Sequence, residues 1–242
     1  MKRIELSKNH TSEATRILKK YKTFTGFSRN KNDAYKFTNT IGIKICPYCN
    51  IEYIYTVYDV NNQSVVRPDI DHFIPKNKKT GNPSLQLALT NLIPSCLVCN
   101  ERLKKDKPFS INKNIHPYYD DFDSIMCFNI SLNDTDYLYE QSFDIIINPR
   151  EPAKQNDINR AVNNITVFKL NERYQFHKNE VVMLFKRLKN YNKIKINDIE
   201  DLLSGQGNIY SNLLFLFPEK YCDINNTSLG KLKRDVIERY LR

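Results

Sequence analysis

Apolar positions along the chain recur first with a helical period and later with an alternating one. Ala14, Ile17, Leu18 and Tyr21 fall on one helix face, which predicts a short basic helix over 12–24, closed by Gly26. A second short helix is expected over 32–40. Residues 51–60 (IEYIYTVYDV) are rich in β-branched and aromatic types, Asn61-Asn62 offers a turn, and 64–71 (SVVRPDID) extends again, so this stretch reads as a β-hairpin. A basic loop broken by Pro and Gly follows over 75–84, then a short strand from Asn91 to Ser95. From Cys99 the residues favour helix until Pro108.

After His116-Pro117 the pattern changes. Two strands, 124–132 and 137–148, are expected around a joint at Asn133-Asp134, and the rest reads as helix. In 172–189, Tyr174, His177, Val181, Leu184, Phe185 and Leu188 form one stripe. Asn197 with Glu200 resembles a capping box, Gly205 a stop, and a last helix is expected from Ser228 to Leu241. The fold class is therefore α+β. Three stretches are expected: a helical arm over 1–40, a central unit over 41–120, and a β-hairpin plus helical region over 121–242. No internal repeat is present.

Composition narrows the functions open to such a chain. With 242 residues and 40% apolar content it can build a real core. Its net charge of +10 favours a polyanionic partner. Met1-Lys2-Arg3 is followed by no apolar block, and the longest strongly apolar run, Leu213 to Phe217, is too short to cross a bilayer. A cytoplasmic protein without a membrane partner is expected. In a reducing compartment paired cysteines favour metal over disulfides.

The chemistry is concentrated in the centre. Cys46/Cys49 and Cys96/Cys99 are two Cys-x-x-Cys pairs, and four thiolates suit one structural zinc with no open coordination position. Cys127 and Cys222 are left over and are expected to be buried free thiols. Between the pairs stands Asp71-His72, and the second pair runs into Asn100. Asp71 and Asn100 offer oxygen donors to a hard cation such as Mg²⁺ or Mn²⁺, with Asp69 in reserve. His72 is suited to act as a base. Strict strand alternation puts Asp71 and His72 on opposite faces, so both reach one site only if the strand ends or bends there. Lys76, Lys78, Lys79, Arg102, Lys104, Lys105 and Lys107 bracket the site, and Lys104 shares the helix face of Asn100, where a phosphate contact is expected. His116 and His177 read as packed residues. The tyrosines Tyr48, Tyr53, Tyr55 and Tyr58 read as half-buried packing that could also stack on bases.

The segments CPYC, DHFIPK and NLIPSCLVCN, within residues 44–107, resemble the zinc-containing HNH endonucleases, a branch of the ββα-metal nucleases. The resemblance implies a zinc-knuckled ββα core with a mainly helical C-terminal region. It implies that His72 is the general base, that Asp71 binds the catalytic metal, and that Asn91 positions the histidine and its loop. Asn100 takes the final ligand position, so the chain reads H-N-N. It also implies DNA as substrate. At the level of the whole chain the resemblance extends to small HNH proteins of bacterial anti-phage defence, such as the nuclease partners of Septu-type and retron-linked ATPases, which implies a regulatory ATPase partner encoded nearby. The alternatives are a zinc-stabilised nucleic-acid-binding adaptor with a silent active site, and an RNA-cleaving toxin.

Overall fold

The computed structural model describes residues 1–132, 142–190 and 217–240. The first helix, α1 (Lys8–Leu18), starts earlier than the apolar spacing suggests, because the Ser7 side chain accepts from the His10 N–H at 3.1 Å and caps it. The chain then turns and restarts as α2 (Phe24–Arg29), capped by Thr23 through the Gly26 N–H. Gly26 therefore lies inside a helix instead of ending one. The next helix, α3 (Lys31–Ile41), is capped by Asn30 and stopped by Gly42, whose φ of 69° is the left-handed conformation that glycine adopts without penalty. Ala14, Ile17, Leu18, Phe27, Ala34, Phe37 and Ile41 bury their side chains together against Ile70 and Leu92. The helical arm is thus packed onto the central strands.

The hairpin expected over 51–60 and 64–71 forms only at its tip. There β1 (Val57–Tyr58) pairs with β2 (Ser64–Val66). Pro68 has no N–H to continue the ladder. Beyond it β3 (Asp69–His72) takes a different partner, β4 (Leu92–Ser95), in an antiparallel register that sets Asp71 opposite Ile93 and His72 opposite Leu92. A single π-helical segment, Val98–Lys104, follows β4 and ends where Lys105 turns to a φ of 52° and donates to the Asn100 carbonyl at 2.8 Å. The helix expected to reach Pro108 stops short for that reason. The loop between β3 and β4 folds back on itself. Gly81 passes so close to Pro75 that a Cβ would lie 1.7 Å from the Pro75 oxygen, and the Asn82 N–H donates to that oxygen at 2.7 Å.

In the C-terminal half, the short α4 (Phe122–Ile125) leads into β5 (Met126–Leu132), which pairs antiparallel with β6 (Phe143–Pro149). Their alternation buries Met126, Phe128, Ile130, Phe143 and Ile145. The helices α5 (Gln155–Phe168), α6 (Leu170–Tyr174), α7 (Lys178–Asn190), α8 (Pro218–Tyr221) and α9 (Gly230–Tyr240) complete the described chain. The stripe expected over 172–189 is divided between α6 and α7 by a 3₁₀ turn, Gln175–His177; it buries Tyr174, Val181, Leu184, Phe185 and Leu188 and leaves His177 half-buried. The Asn133-Asp134 joint, the Asn197/Glu200 pair and Gly205 lie outside the described residues. Cys127 and Cys222 are half-exposed, not buried as expected. The architecture is mixed helix and small antiparallel sheets, with the four paired cysteines inside the main apolar core.

Candidate functional site

The first cysteine pair sits in a tight turn between two short extended stretches. The Cys46 N–H donates to the Glu52 carbonyl at 2.9 Å, and the Ile54 N–H to the Lys44 carbonyl at 2.8 Å. Asn50, at a φ of 55°, closes the turn by donating to the Cys46 carbonyl at 2.8 Å. The second pair forms where β4 runs into the π-helical segment, and the Cys99 N–H points at Cys96 Sγ at 3.4 Å. The four sulfur atoms lie within 4.8 Å of one another and are buried. Sulfurs on a tetrahedral zinc, at about 2.3 Å from it, lie about 3.8 Å apart, so the donor set and its compactness fit a structural zinc.

Residues distant in sequence brace this cluster. The Tyr174 hydroxyl donates to the Cys49 carbonyl at 2.7 Å. Arg173 donates to Cys99 Sγ at 3.3 Å and to Glu52 at 3.0 Å. Burial works against the charge of Arg173, and the sulfurs of Cys49 and Cys99 overcome it, so its guanidinium stays protonated. Asn50 is gripped from the far end of the chain: its amide donates to the Ile224 carbonyl at 2.6 Å and accepts from the Lys231 N–H at 3.0 Å.

A cleft of about 350 Å³ opens beside the cluster, lined by Asp71, His72, Lys76, Asn100 and Lys105 together with Phe24, Glu101 and Asp106. The structure therefore brings five of the residues singled out in the sequence to one place. Asp71 is buried. Its Oδ2 accepts from the Tyr48 hydroxyl at 2.6 Å and its Oδ1 from the Lys104 ammonium at 2.9 Å. An ionised carboxylate has about four lone-pair sites, so two remain for a cation. Asn100 donates its amide N–H to Asp69 at 3.2 Å, which leaves its carbonyl oxygen for the same purpose. Both are oxygen donors, the type a hard divalent ion prefers.

His72 ends β3, which answers the alternation problem at the strand's last residue. Its Nε2 lies 3.1 Å from the Gln86 carbonyl, so that nitrogen carries the proton and Nδ1 the lone pair. Burial, aided by nearby Lys76 and only partly offset by the Gln86 carbonyl, pulls the imidazole down to about 4. Phe24 of α2 packs edge-on against the ring at 4.3 Å, and the Lys76 ammonium lies 4.6 Å from the centre of the Phe24 ring. Asn91 spans the loop: its Oδ1 accepts from the Ile74 N–H at 2.7 Å and its Nδ2 donates to the Ile74 and Leu85 carbonyls at 3.0 and 3.2 Å.

Two expectations are corrected. Lys104 does not face a phosphate: its side chain is 0% exposed, paired with Asp71 and donating to the His72 carbonyl at 2.6 Å. Helical spacing suggests that it shares Asn100's side, but in the π-helical segment Asn100 lines the cleft while the Lys104 side chain enters the core. Tyr48 is buried, with its ring stacked on Phe168 at 4.5 Å and its hydroxyl on Asp71, so it offers no face to a base. Burial first, and then the Asp71 carboxylate, push that hydroxyl far up and keep it a donor. Lys76 and Lys105 are exposed at the cleft rim. His116 is packed between Phe73 and Tyr119, as its sequence context suggests. Sequence reasoning missed Phe24, Gln86 and Arg173, whose roles arise from tertiary packing and carry no local motif.

Among the described residues no helix is long and apolar enough to cross a membrane. No protein-family model, no curated protein and no solved structure matches the chain.

Proposed function

We propose that the chain is a metal-dependent endonuclease of the zinc-containing HNH type that hydrolyses phosphodiester bonds in DNA. The observation that carries this reading is the shared cleft: Asp71 and His72 at the end of β3 meet Asn100 on the helical segment after β4, directly beside a four-cysteine cluster. The strand–strand–helix order supports a ββα-metal core.

Each residue has a role its surroundings suit. With Nε2 held by the Gln86 carbonyl, His72 offers Nδ1 to take the proton of the attacking water. Asn91 ties Ile74 and Leu85 together and so fixes the loop that carries the Gln86 carbonyl. Asp71 and Asn100 would hold Mg²⁺ or Mn²⁺. When bound, such an ion supplies electrostatic stabilisation of the charge that builds on the phosphate and the leaving oxygen. Lys76 and Lys105 neutralise flanking phosphates from the rim. By resemblance the products carry 5′-phosphate and 3′-hydroxyl ends. The anti-phage setting and the ATPase partner follow from the same resemblance, and the cytoplasmic setting from the lack of an apolar block after Met1-Lys2-Arg3 and of a long apolar run.

The test is incubation of the pure protein with plasmid or RNA, with and without Mg²⁺ or Mn²⁺, beside a His72→Ala control. A general base contributes about 10²–10⁴-fold, and His72→Ala should lose at least that while keeping zinc and DNA binding. A variant that cuts at the wild-type rate sinks the assignment. One observation favours a second reading. Asp71 already carries a buried cation, the Lys104 ammonium. On that reading the chain is a zinc-stabilised nucleic-acid adaptor, and a wild type that binds DNA but cuts with no divalent ion, alone or with its ATPase, is the result that selects it.

A further inference from the structure

Both donors that hold the Asp71 carboxylate come from arms of the four-cysteine cluster. Tyr48 lies inside the Cys46–Cys49 turn itself, and Lys104 closes the π-helical segment whose second residue is Cys99. The backbone around Tyr48 has little freedom. The Cys46 N–H, the Cys46 carbonyl and the Cys49 carbonyl are all hydrogen-bonded, and the ring is stacked on Phe168 with an interplanar angle of 18°. A phenylalanine would fill this space equally well. A buried hydroxyl is unfavourable unless it is bonded, and here its partner is Asp71 Oδ2 at 2.6 Å.

We infer that Tyr48 is a positioning residue through which the first zinc-binding turn fixes the Asp71 carboxylate, so that the order of the four-cysteine cluster sets how well the neighbouring cleft takes a divalent cation. This inference rests on the nuclease reading for the identity of the second cation site. The turn moves as a unit because its two cysteines share one ligation point. Tyr48 cannot shift without them, and Asp71 Oδ2 follows Tyr48. Lys104 holds the other oxygen from the opposite arm, so both carboxylate oxygens are tied while Asp71 lines the cleft. A carboxylate held in this way needs no reordering when a cation arrives. Outer partners of a metal ligand are worth about 10–100-fold in metal affinity.

The experiment uses the full chain, loaded with zinc, and Mn²⁺ alone as the probe. Free Mn²⁺ is counted by electron paramagnetic resonance for wild type, Tyr48→Phe and Asp71→Ala. Wild type should bind one Mn²⁺, and Asp71→Ala should lose it. Tyr48→Phe should keep its zinc and its cooperative thermal unfolding while its Mn²⁺ dissociation constant rises ~10-fold or more. A purely structural role for Tyr48 would move zinc content or unfolding and leave Mn²⁺ affinity alone. Tyr48→Phe with wild-type Mn²⁺ affinity, beside an Asp71→Ala that has lost it, overturns the inference and leaves the nuclease reading standing. A wild type that takes up no Mn²⁺ overturns both. If Tyr48→Phe fails to load zinc, 3-fluorotyrosine at position 48 decides the matter: its ¹⁹F resonance should shift on Mg²⁺ addition, and a silent resonance overturns the inference.

Discussion

Replacing Lys104 with methionine removes an ammonium from a place that water does not reach. The side chains of Lys104 and Asp71 are 0% and 3% exposed, and their charged atoms lie 2.9 Å apart. Lys104→Met keeps the stem but leaves Asp71 with Tyr48 alone, the His72 carbonyl without its 2.6 Å donor, and Phe109 without the cation 5.0 Å from its ring. Breaking one side of a buried ion pair costs about 3–5 kcal/mol, because the remaining charge stays buried without its partner. For a domain of this size each kcal/mol lowers the unfolding temperature by about 2–4 °C, so a fall of roughly 10 °C is expected. Asp71→Asn should also destabilise, since it strands the ammonium. The double variant removes both charges, and its loss should fall short of the sum of the single losses by about 1–3 kcal/mol. The assay is urea unfolding followed by circular dichroism, with zinc in excess throughout. A Lys104→Met protein within about 0.5 kcal/mol of wild type would behave like a surface substitution and refute the buried pair. Strict additivity in the double variant would refute the coupling.

Three further outcomes are expected. Purified protein should contain about one zinc per chain, and Cys→Ser at positions 46, 49, 96 or 99 should reduce soluble yield; a metal-free protein that stays folded in chelator contradicts this. DNA affinity should fall steeply with salt, and Lys76→Gln or Lys105→Gln should each lower the slope by about 0.9, while Lys104→Met leaves it unchanged; equal slopes for all three would contradict the placement of these lysines. Burial holds His116 neutral, at about 4 against an unfolded value near 6.5, so its contribution is complete above pH 6.5 and is lost as pH falls toward 4. The stability difference between wild type and His116→Gln should therefore shrink by up to about 3 kcal/mol over that window; a constant difference in unfolding titrations at pH 7, 6 and 5 refutes it.

What was legible in the chain was what residue type and short spacing determine. Two matched Cys-x-x-Cys pairs gather four sulfurs within 4.8 Å, although a whole folded segment separates them. The alternation read over 124–132 and 137–148 meets an antiparallel strand pair at Met126–Leu132 and Phe143–Pro149. Asp71, His72 and Asn100 line one cleft. What failed was the choice between competing long-range partners. The run 64–71 reads as one strand, yet Pro68 divides it and the Asp69–His72 part finds β4 instead of the fifties. Lys104 sits at helical spacing from Asn100, but spacing says nothing about which side of a helix meets the core, and the π-helical turn then aims it at Asp71. Phe24 reaches His72 only because the arm folds back over β3.

The grip of the C-terminal region on Asn50 bears on how the protein is made. Leu229 donates to the Asn50 carbonyl at 2.7 Å, and the Asn50 side chain bridges Ile224 and Lys231, all more than 170 positions downstream. At roughly 5–20 residues per second, a ribosome delivers Lys231 on the order of ten seconds after Cys99. For that interval all four thiols have been synthesised while the clamp that closes the first turn has not. Contacts of such high sequence separation form slowly. The clamp on the first cysteine turn is therefore completed only at the end of synthesis, long after the four cysteines it serves have emerged.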